Sequence, residues 1–271
     1  MKRNVFGWAA AVAVSLAGVG AASAADMAVK ARPVPVPVFS WTGCYIGGSI
    51  GGKWARAEDS VVIPAAAPVP LTTIGYTAEP STWLVGGQAG CNMQSGNWVF
   101  GVEADAHAQR WSSLVTTLAG VPVPFVAGDQ YGLSSDWQAS VRGRVGYAMD
   151  RTLFYVTGGV AFTEIKSYSN WIPFGGFPGT IAYDKQVAFG GTIGAGLEYA
   201  WTNNFTVGVE GRYTWYGTER LAAGPVAVFG FPPAGPFVVS NTYRDVRLET
   251  AEILVKANWK FGGPAAVVAK Y

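Results

Sequence analysis

The segment 97–109, NWVFGVEADAHAQ, constrains the fold of this chain more than any other, because its two faces differ in character. One face is entirely apolar and holds Trp98, Phe100, Val102, Ala104, Ala106 and Ala108. The opposite face holds Val99, Gly101, Glu103, Asp105, His107 and Gln109. Side chains alternate with period two along a strand, so the segment predicts a strand rather than a helix. It indicates a sheet that is apolar outside and polar inside.

The same alternation recurs along the chain and predicts eight strands. They cover residues 43–54, 82–93, 97–109, 136–148, 152–163, 187–200, 205–216 and 245–261. Turns of a few residues alternate with long connections, and each strand is long enough to cross a bilayer when tilted. The predicted fold is all-β: an eight-stranded antiparallel up-and-down transmembrane β-barrel.

The composition supports a membrane barrel over a soluble sheet protein. Only 13% of the residues are charged and 14% are aromatic, whereas roughly 25% charged residues are usual in soluble domains. A soluble β-sandwich would also alternate, but its outer faces would hold few charges for their area. Without Lys2 and Arg3, 17 basic residues stand against 17 acidic ones. The charge balance therefore gives no indication of nucleic-acid binding.

The two ends of the chain predict segments outside the barrel. Residues 1–24 combine a basic start, an apolar run and an A-x-A end, which is typical of a secretory signal peptide. An N-terminal anchor helix is the alternative, and the short apolar run disfavours it. Residues 25–40 read as a Pro-rich periplasmic tail. The barrel then covers 41–261 with four long extracellular loops, and 262–271 form a C-terminal periplasmic extension.

The last predicted strand carries a pattern that is usual for outer-membrane assembly signals. Apolar residues stand at every second position and end in Trp259 and Phe261. Such a pattern normally ends the chain, but here GGPAAVVAKY follows. We expect recognition by the barrel-assembly machinery, and an even strand count predicts that both termini are periplasmic.

Charged residues on the predicted inward faces form a candidate lumen network. Its members are Glu103, Asp105, His107, Arg142, Arg144, Glu198, Glu210, Arg212, Glu252 and Lys256. An eight-stranded barrel is only wide enough for its own side chains to fill, and lone buried charges are costly. The favoured interpretation is therefore a charge-paired plug, and the alternative is an ion-selective constriction.

His107 is the single histidine and raises the question of catalysis or metal binding. With Glu103 and Asp105 it lies on one strand, where successive inward residues are roughly 7 Å apart. Such ligands converge poorly on a metal. Ser112 and Ser113 are near in sequence, but nothing fixes a triad. We expect a hydrogen-bonded lumen histidine, and the sequence predicts no enzyme, no metal and no cofactor.

Cys44 and Cys91 are the two cysteines of the chain. Both fall on outward faces of neighbouring predicted strands, near the same rim. The periplasm allows a disulfide, so a cross-strand bridge is one interpretation. Two free, lipid-facing thiols that act as small apolar residues are the other.

Four long connections are unusually apolar and rich in Pro or Gly. They are residues 61–71, 118–128, 171–181 and 221–239. Such apolar area should be covered. The loops either pack on one another or continue as strands above the membrane, or they offer a surface for a ligand, a partner protein, self-association or lipopolysaccharide acyl groups.

Four stretches resemble the small outer-membrane barrel proteins of alphaproteobacteria, described as porin-family or outer-membrane immunogenic proteins. They are WTGCYIGGSIG at 41, GGQAGCNMQSGNWVFGVEAD at 86, VRGRVGYAMDRTLFYVTGGVAF at 141 and VKANWKFGG at 255. The resemblance implies an eight-stranded barrel with a structural or antigenic role, and some relatives bind heme. Cys44 and Cys91 replace aromatic residues that the family typically has, and the apolar loops also depart from its pattern.

These observations predict an outer-membrane surface barrel with a mainly structural role and a largely plugged lumen. A small porin-like channel for ions or solutes is one alternative. Binding of a hydrophobic ligand such as heme or lipid through the loops is another. The expected partners are outer-membrane lipid and lipopolysaccharide.

Overall fold

The computed structural model describes residues 39–64, 71–118, 120, 126–173, 179–228 and 238–262. Nine strands form one antiparallel sheet. They are β1 (Gly43–Ile63), β2 (Thr72–Ala78), β3 (Ser81–Ser95), β4 (Trp98–Thr116), β5 (Gln130–Met149), β6 (Thr152–Trp171), β7 (Thr180–Ala200), β8 (Phe205–Val228) and β9 (Val238–Phe261). Strand β9 pairs with β1, so the sheet closes on itself. The predicted barrel fold is confirmed.

The strand count is nine rather than the predicted eight because Pro80 divides one strand. Residues 57–63 of β1 pair with β2, and residues 43–54 pair with β3, in one continuous register. The Ala55 N–H donates to the Pro80 carbonyl at 2.9 Å, but proline has no N–H to return. Strands β2 and β3 therefore occupy the same place in the barrel wall, next to β1. Counted this way, the barrel wall has eight strand positions.

The strands continue well beyond their predicted ends near the long connections. On β5 and β8, bulges account for the difference, since each one breaks the alternation. Asp136 and Trp137 are both exposed on β5, and Gly217 and Thr218 are both exposed on β8. After such a break the apolar side chains change parity, so the sequence looks like a loop.

The four apolar connections therefore continue in part as strands, which is one of the interpretations that their sequence allowed. Residues 61–63 belong to β1, Trp171 belongs to β6, and residues 221–228 belong to β8. Val61, Trp171 and Leu221 are buried in the interior. The segments 65–70, 119, 121–125, 174–178 and 229–237, together with 1–38 and 263–271, lie outside the described residues. The predicted signal peptide, most of the tail and nearly all of the C-terminal extension fall among them.

An apolar belt surrounds the half of the barrel that carries the short turns, which we call the turn end. On β5 the outward face is apolar from Trp137 to Tyr147, and on β7 it is apolar from Phe189 to Tyr199. Ten residues at about 3.3 Å each, tilted by roughly 40°, span about 25 Å. This is the height of the apolar band of an outer-membrane barrel. The described residues contain no helix that is long and apolar enough to cross a membrane.

Beyond the belt, toward the loop end, the ring divides into two four-stranded sheets. The β3–β4 ladder ends at Leu84 and Gln109, and the β7–β8 ladder ends at Gly190 and Tyr216. Above these points β4, β5, β6 and β7 remain paired as one sheet, which we call leaf A. Strands β8, β9, β1 and β2 form the other sheet, leaf B. The two breaks are named the β2–β4 seam and the β7–β8 seam.

The interior is filled in layers along the barrel axis. The turn end holds an apolar cluster that includes Trp41, Leu153 and Tyr155. Buried charged residues lie above it. A second apolar cluster lies where the leaves begin, and a third fills the loop end. The second cluster contains Ala55, Ala57, Trp111, Leu133, Ala161, Ile165, Ala188, Tyr216, Leu221, Val246 and Leu248; the third contains Val61, Ile63, Tyr131, Trp171 and Ala223.

Candidate functional site in the barrel lumen

The ten predicted lumen residues all face inward and are buried. They lie on β4, β5, β7, β8 and β9, because each occupies the inward parity of its strand. The barrel closes these strands around one space, so residues that are distant in sequence meet there. Their ion pairs form one large group around Arg142 and a smaller group around Arg144.

Arg142 lies at the centre of the larger group. Its Nη2 atom is 2.5 Å from Glu103 Oε1 and 2.9 Å from Asp105 Oδ2. Its Nη1 atom is 2.5 Å from Glu210 Oε1 and donates to Thr157 Oγ1 at 3.0 Å. The planar guanidinium can donate hydrogen bonds to several carboxylates at once. One arginine therefore holds acids from two strands.

Two further cations share these carboxylates. Lys256 Nζ lies 2.6 Å from Glu103 Oε1 and 3.0 Å from Glu210 Oε2. Arg212 Nη1 lies 3.0 Å from Asp105 Oδ1 and 3.7 Å from a Glu252 oxygen. Every acid in the group faces at least one cation, which offsets the cost of burying charge.

Arg144 forms the group nearer the turn end. It pairs with Glu198 and lies over the Tyr155 ring, 3.7 Å from the centroid. Asn258 donates to Glu198 at 3.0 Å. The Tyr45 hydroxyl donates to Glu103 at 2.7 Å and links the two groups.

Lys53 belongs to the lumen network, although the sequence analysis did not include it. Its Nζ atom lies 3.6 Å from Glu252 Oε1 and donates to Gln109 at 2.9 Å and to Gln138 at 2.5 Å. With Lys53, five acidic side chains face five basic ones. Lys53 follows Gly51 by two residues on the inward face of β1. The alternation of side chains along this strand was therefore the one signal that could have identified it.

His107 lies between a serine and an aspartate. Its Nε2 atom is 2.8 Å from Ser49 Oγ, and its Nδ1 atom is 3.1 Å from Asp105 Oδ1. The order resembles a serine-hydrolase triad. However, the Ser49 hydroxyl also lies 2.8 Å from Gln88 Oε1, so the imidazole shares it with a second hydrogen-bond partner. Asp105 is also held by Ser140 at 2.6 Å.

The histidine is thus a member of a polar network, and its serine neighbour is Ser49 rather than Ser112 or Ser113. Gln88 extends this network by donating to Asn258 at 2.8 Å. Within the described ranges, no group of three or more His, Cys, Asp or Glu side chains is arranged to hold a metal ion. The hydrogen bonds around His107 hold these side chains in place.

A second charged element closes the loop end. Arg244 on β9 is fully buried and lies 3.1 Å from Asp59 Oδ2. Its guanidinium also donates across the interior to the Gly132 carbonyl at 3.1 Å and to Ser167 Oγ at 2.9 Å in leaf A. Asp59 and Arg244 lie just outside the predicted strands, which is why neither was a candidate.

Two further contacts stabilise the loop end. The Trp171 indole N–H of leaf A donates to the Ala223 carbonyl of leaf B at 2.8 Å. The Asp129 carboxylate accepts the Val126 N–H at 2.9 Å and the Ile172 N–H at 3.0 Å. Burial raises the pKa of Asp129 above its ordinary value.

Cys44 and Cys91 are joined by a disulfide of 2.06 Å between paired positions of β1 and β3. Both side chains lie on the outward face, within the apolar belt. Trp259 and Phe261 also point outward, near the end of β9. The bridge is part of the lipid-facing wall, whereas the charged network is part of the lumen.

The sequence model of the outer membrane protein beta-barrel domain matches residues 11–261. The chain is 31% identical over 245 residues to the 25 kDa outer-membrane immunogenic protein of Brucella abortus biovar 1 (strain 9-941). The match covers 89% of this chain and 91% of that protein. It is also 30% identical over 256 residues to the 31 kDa outer-membrane immunogenic protein of Brucella melitensis biotype 1, covering 89% and 93%.

A solved structure with a similar course of the chain is the outer membrane protein OprG from Pseudomonas aeruginosa. The TM-score is 0.45 at 14% identity, with 82% of this chain and 97% of that chain covered.

Proposed function

Because the chain belongs to the outer membrane protein beta-barrel domain family, we propose that it is a non-conducting surface barrel with a structural role in the envelope. The loop end faces the outside and the turn end faces the periplasm. Phe39 and Gly262, at the two ends of the described barrel, both lie at the turn end. This arrangement would place both termini in the periplasm.

The filled lumen is the observation that carries the proposal. Five acids and five bases pair in one layer, with apolar side chains packed below it and above it. An ion passing through would have to displace these pairs, and breaking a buried pair costs about 3–5 kcal/mol. The Arg244–Asp59 pair closes the same path again near the loop end.

The same features support a non-enzymatic role. Ser49 is buried in the filled lumen and shares its hydroxyl between His107 and Gln88, so a substrate has no access to it for attack. Relatives are named outer-membrane immunogenic proteins, which supports a surface-exposed, antigenic barrel. We also propose that the apolar belt contacts outer-membrane lipid and lipopolysaccharide, and that Trp259 and Phe261 are read by the barrel-assembly machinery.

Planar-bilayer conductance of the purified protein tests the proposal. We expect no steady openings from the natural chain. The double variant Arg142→Ala with Glu210→Ala removes one cation and one anion from the centre of the plug, preserves neutrality and should leak. It also shows that the assay detects an opened lumen.

Steady, ion-selective openings of the natural chain would support a small channel and contradict the proposal. Heat-modified mobility on gels, compared between the natural chain and the variant, confirms that both are folded barrels before conductance is measured.

A further inference from the structure

The β2–β4 seam opens at the loop-end edge of the apolar belt. Trp83 on β3, which is 77% exposed, and Arg110 on β4 flank its base. Thr82 Oγ1 donates to the Arg110 carbonyl at 2.7 Å there. Above this contact, no backbone ladder joins residues 73–78 to residues 111–116, all of which the structure describes. The wall is therefore interrupted where it leaves the membrane.

The interior changes from charged to apolar at the same height. Lys53 and Gln109 are the last polar pair of the plug below the seam. Immediately above them, Ala55 and Ala57 of β1 and Leu133 of β5 belong to the second apolar cluster. An apolar molecule that entered through the seam would meet side chains of its own polarity, with the charged plug beneath it.

Strand β4 presents three donor-bearing residues along the seam, one on its outer face and two on its inner face. Arg110 is exposed and has no ion-pair partner among the described residues. Trp111 is only 4% exposed, yet its indole Nε1 has no acceptor in the described part of the chain. The buried Ser113 hydroxyl likewise has no hydrogen-bond partner in the described part of the chain. Leaving a buried donor without an acceptor is costly, so these atoms indicate an acceptor-bearing ligand.

The β7–β8 seam provides the contrast. There the Asp184 side chain accepts the Ala222 N–H at 2.7 Å, and the Gln186 side chain donates to the Arg220 carbonyl at 2.9 Å. Side chains of one leaf thus bind the free backbone edge of the other. Between the described residues 73–78 and 111–116, no side-chain hydrogen bond of this kind crosses the β2–β4 seam.

We propose that the β2–β4 seam binds a long-chain carboxylic acid taken from the membrane leaflet at the loop end. The carboxylate lies beside Arg110, Trp111 and Ser113, and the hydrocarbon tail lies along the seam against Ile74 and Val115, whose inward side chains are only part-buried. The source is the surrounding membrane, because the seam begins where the apolar belt ends. The plug below prevents passage along the lumen, so the acid is held in the protein.

Photolabelling with palmitic acid that carries a terminal diazirine tests this proposal. The natural chain in lipid vesicles is irradiated, and the labelled peptides are mapped. We expect label on the part-buried inward residues beside the seam, Ile74, Ser113 and Val115, in addition to label on the belt. Label confined to outward belt residues would overturn the proposal.

Closing the seam provides a control within the same molecule. Thr77→Cys and Thr116→Cys place thiols on the outward faces of β2 and β4, where a short bismaleimide can join them. The chain has two natural cysteines, and both are in the disulfide. Cross-linking should abolish the inward label while the belt label stays unchanged. An inward label that survives cross-linking would contradict entry through this seam.

Two single variants test the donors. Arg110→Gln and Trp111→Phe should each lower the inward label about tenfold, the effect of losing one hydrogen bond to a charged group. Arg220→Gln, near the β7–β8 seam and paired with Asp245, is the matched control and should label as the natural chain does. The inward label does not depend on conductance. Absence of inward label would therefore leave the proposed non-conducting role unaffected. Steady openings in the bilayer assay would likewise leave the proposed seam site unaffected.

Discussion

Arg244 on β9 donates from Nη1 to the carbonyl oxygen of Tyr168 on β6 at 2.9 Å. The bond crosses from leaf B to leaf A, while the same guanidinium pairs with Asp59 of its own leaf. One side chain thereby joins two sheets that have separate hydrogen-bond ladders at this height.

Arg244→Met should lower the free energy of unfolding by about 3–5 kcal/mol, because Asp59 is left as an uncompensated buried charge. Urea unfolding in detergent, followed by tryptophan fluorescence, measures the change. Adding Asp59→Asn to the same chain should recover part of the loss. A single variant as stable as the natural chain would show that the leaves are held by apolar packing alone.

Arg142→Met should cost a similar amount, about 3–5 kcal/mol, because Glu103, Asp105 and Glu210 each lose a partner at the centre of the plug. Arg56→Met is the matched control. Arg56 lies 3.3 Å from Glu58 on the exposed outer face, where such pairs contribute about 0–1 kcal/mol. Equal losses in the two variants would argue against a special role for the lumen network.

Replacing both Cys44 and Cys91 by alanine should lower stability by about 2–4 kcal/mol, since the bridge closes a loop across 47 residues of sequence. The fold and the β1–β3 register should persist, because the ladder around the bridge stays paired. Denaturant unfolding measures the loss. Gel mobility of the natural chain with and without reductant, after denaturation, checks that the bridge is present; identical mobility would contradict it.

Asp129 predicts a pH dependence at the loop end. Burial raises its pKa above the ordinary value of about 3.9, so the folded protein binds this proton more tightly than the unfolded chain does. The contribution of Asp129 to stability therefore falls as pH rises from about 4 through the raised pKa. Asp129→Asn should flatten the curve of unfolding free energy against pH in this window. Parallel curves for the two proteins would rule out this contribution.

The inward faces of the barrel follow from the sequence because period-two alternation is a local property. All ten residues chosen for the lumen face inward, since lipid outside and a narrow lumen inside impose opposite requirements on neighbouring residues. Lys53 is the next inward residue after Gly51 on the same face of β1. It lies within the first predicted strand, so the same alternation predicts its inward direction.

The strands and contacts of the loop end could not be predicted from alternation in the same way. Bulges at Asp136–Trp137 and Gly217–Thr218 reverse the parity, and Pro80 divides one strand without changing its register. Partners such as Asp59 and Arg244, or Ser49 and His107, are set by ring closure, which joins residues distant in sequence. No local pattern encodes which of two inward side chains on separate strands will meet.

The lipid-facing position of the Cys44–Cys91 bridge has a consequence for the order of events in the life of the chain. Thiol–disulfide exchange requires a charged thiolate to reach a sulfur atom, and hydrocarbon around the belt excludes charged molecules. The two sulfurs must therefore be oxidised in water, before the barrel is embedded. Once embedded, the bond is beyond the reach of soluble oxidoreductases, so its oxidation state is fixed before insertion.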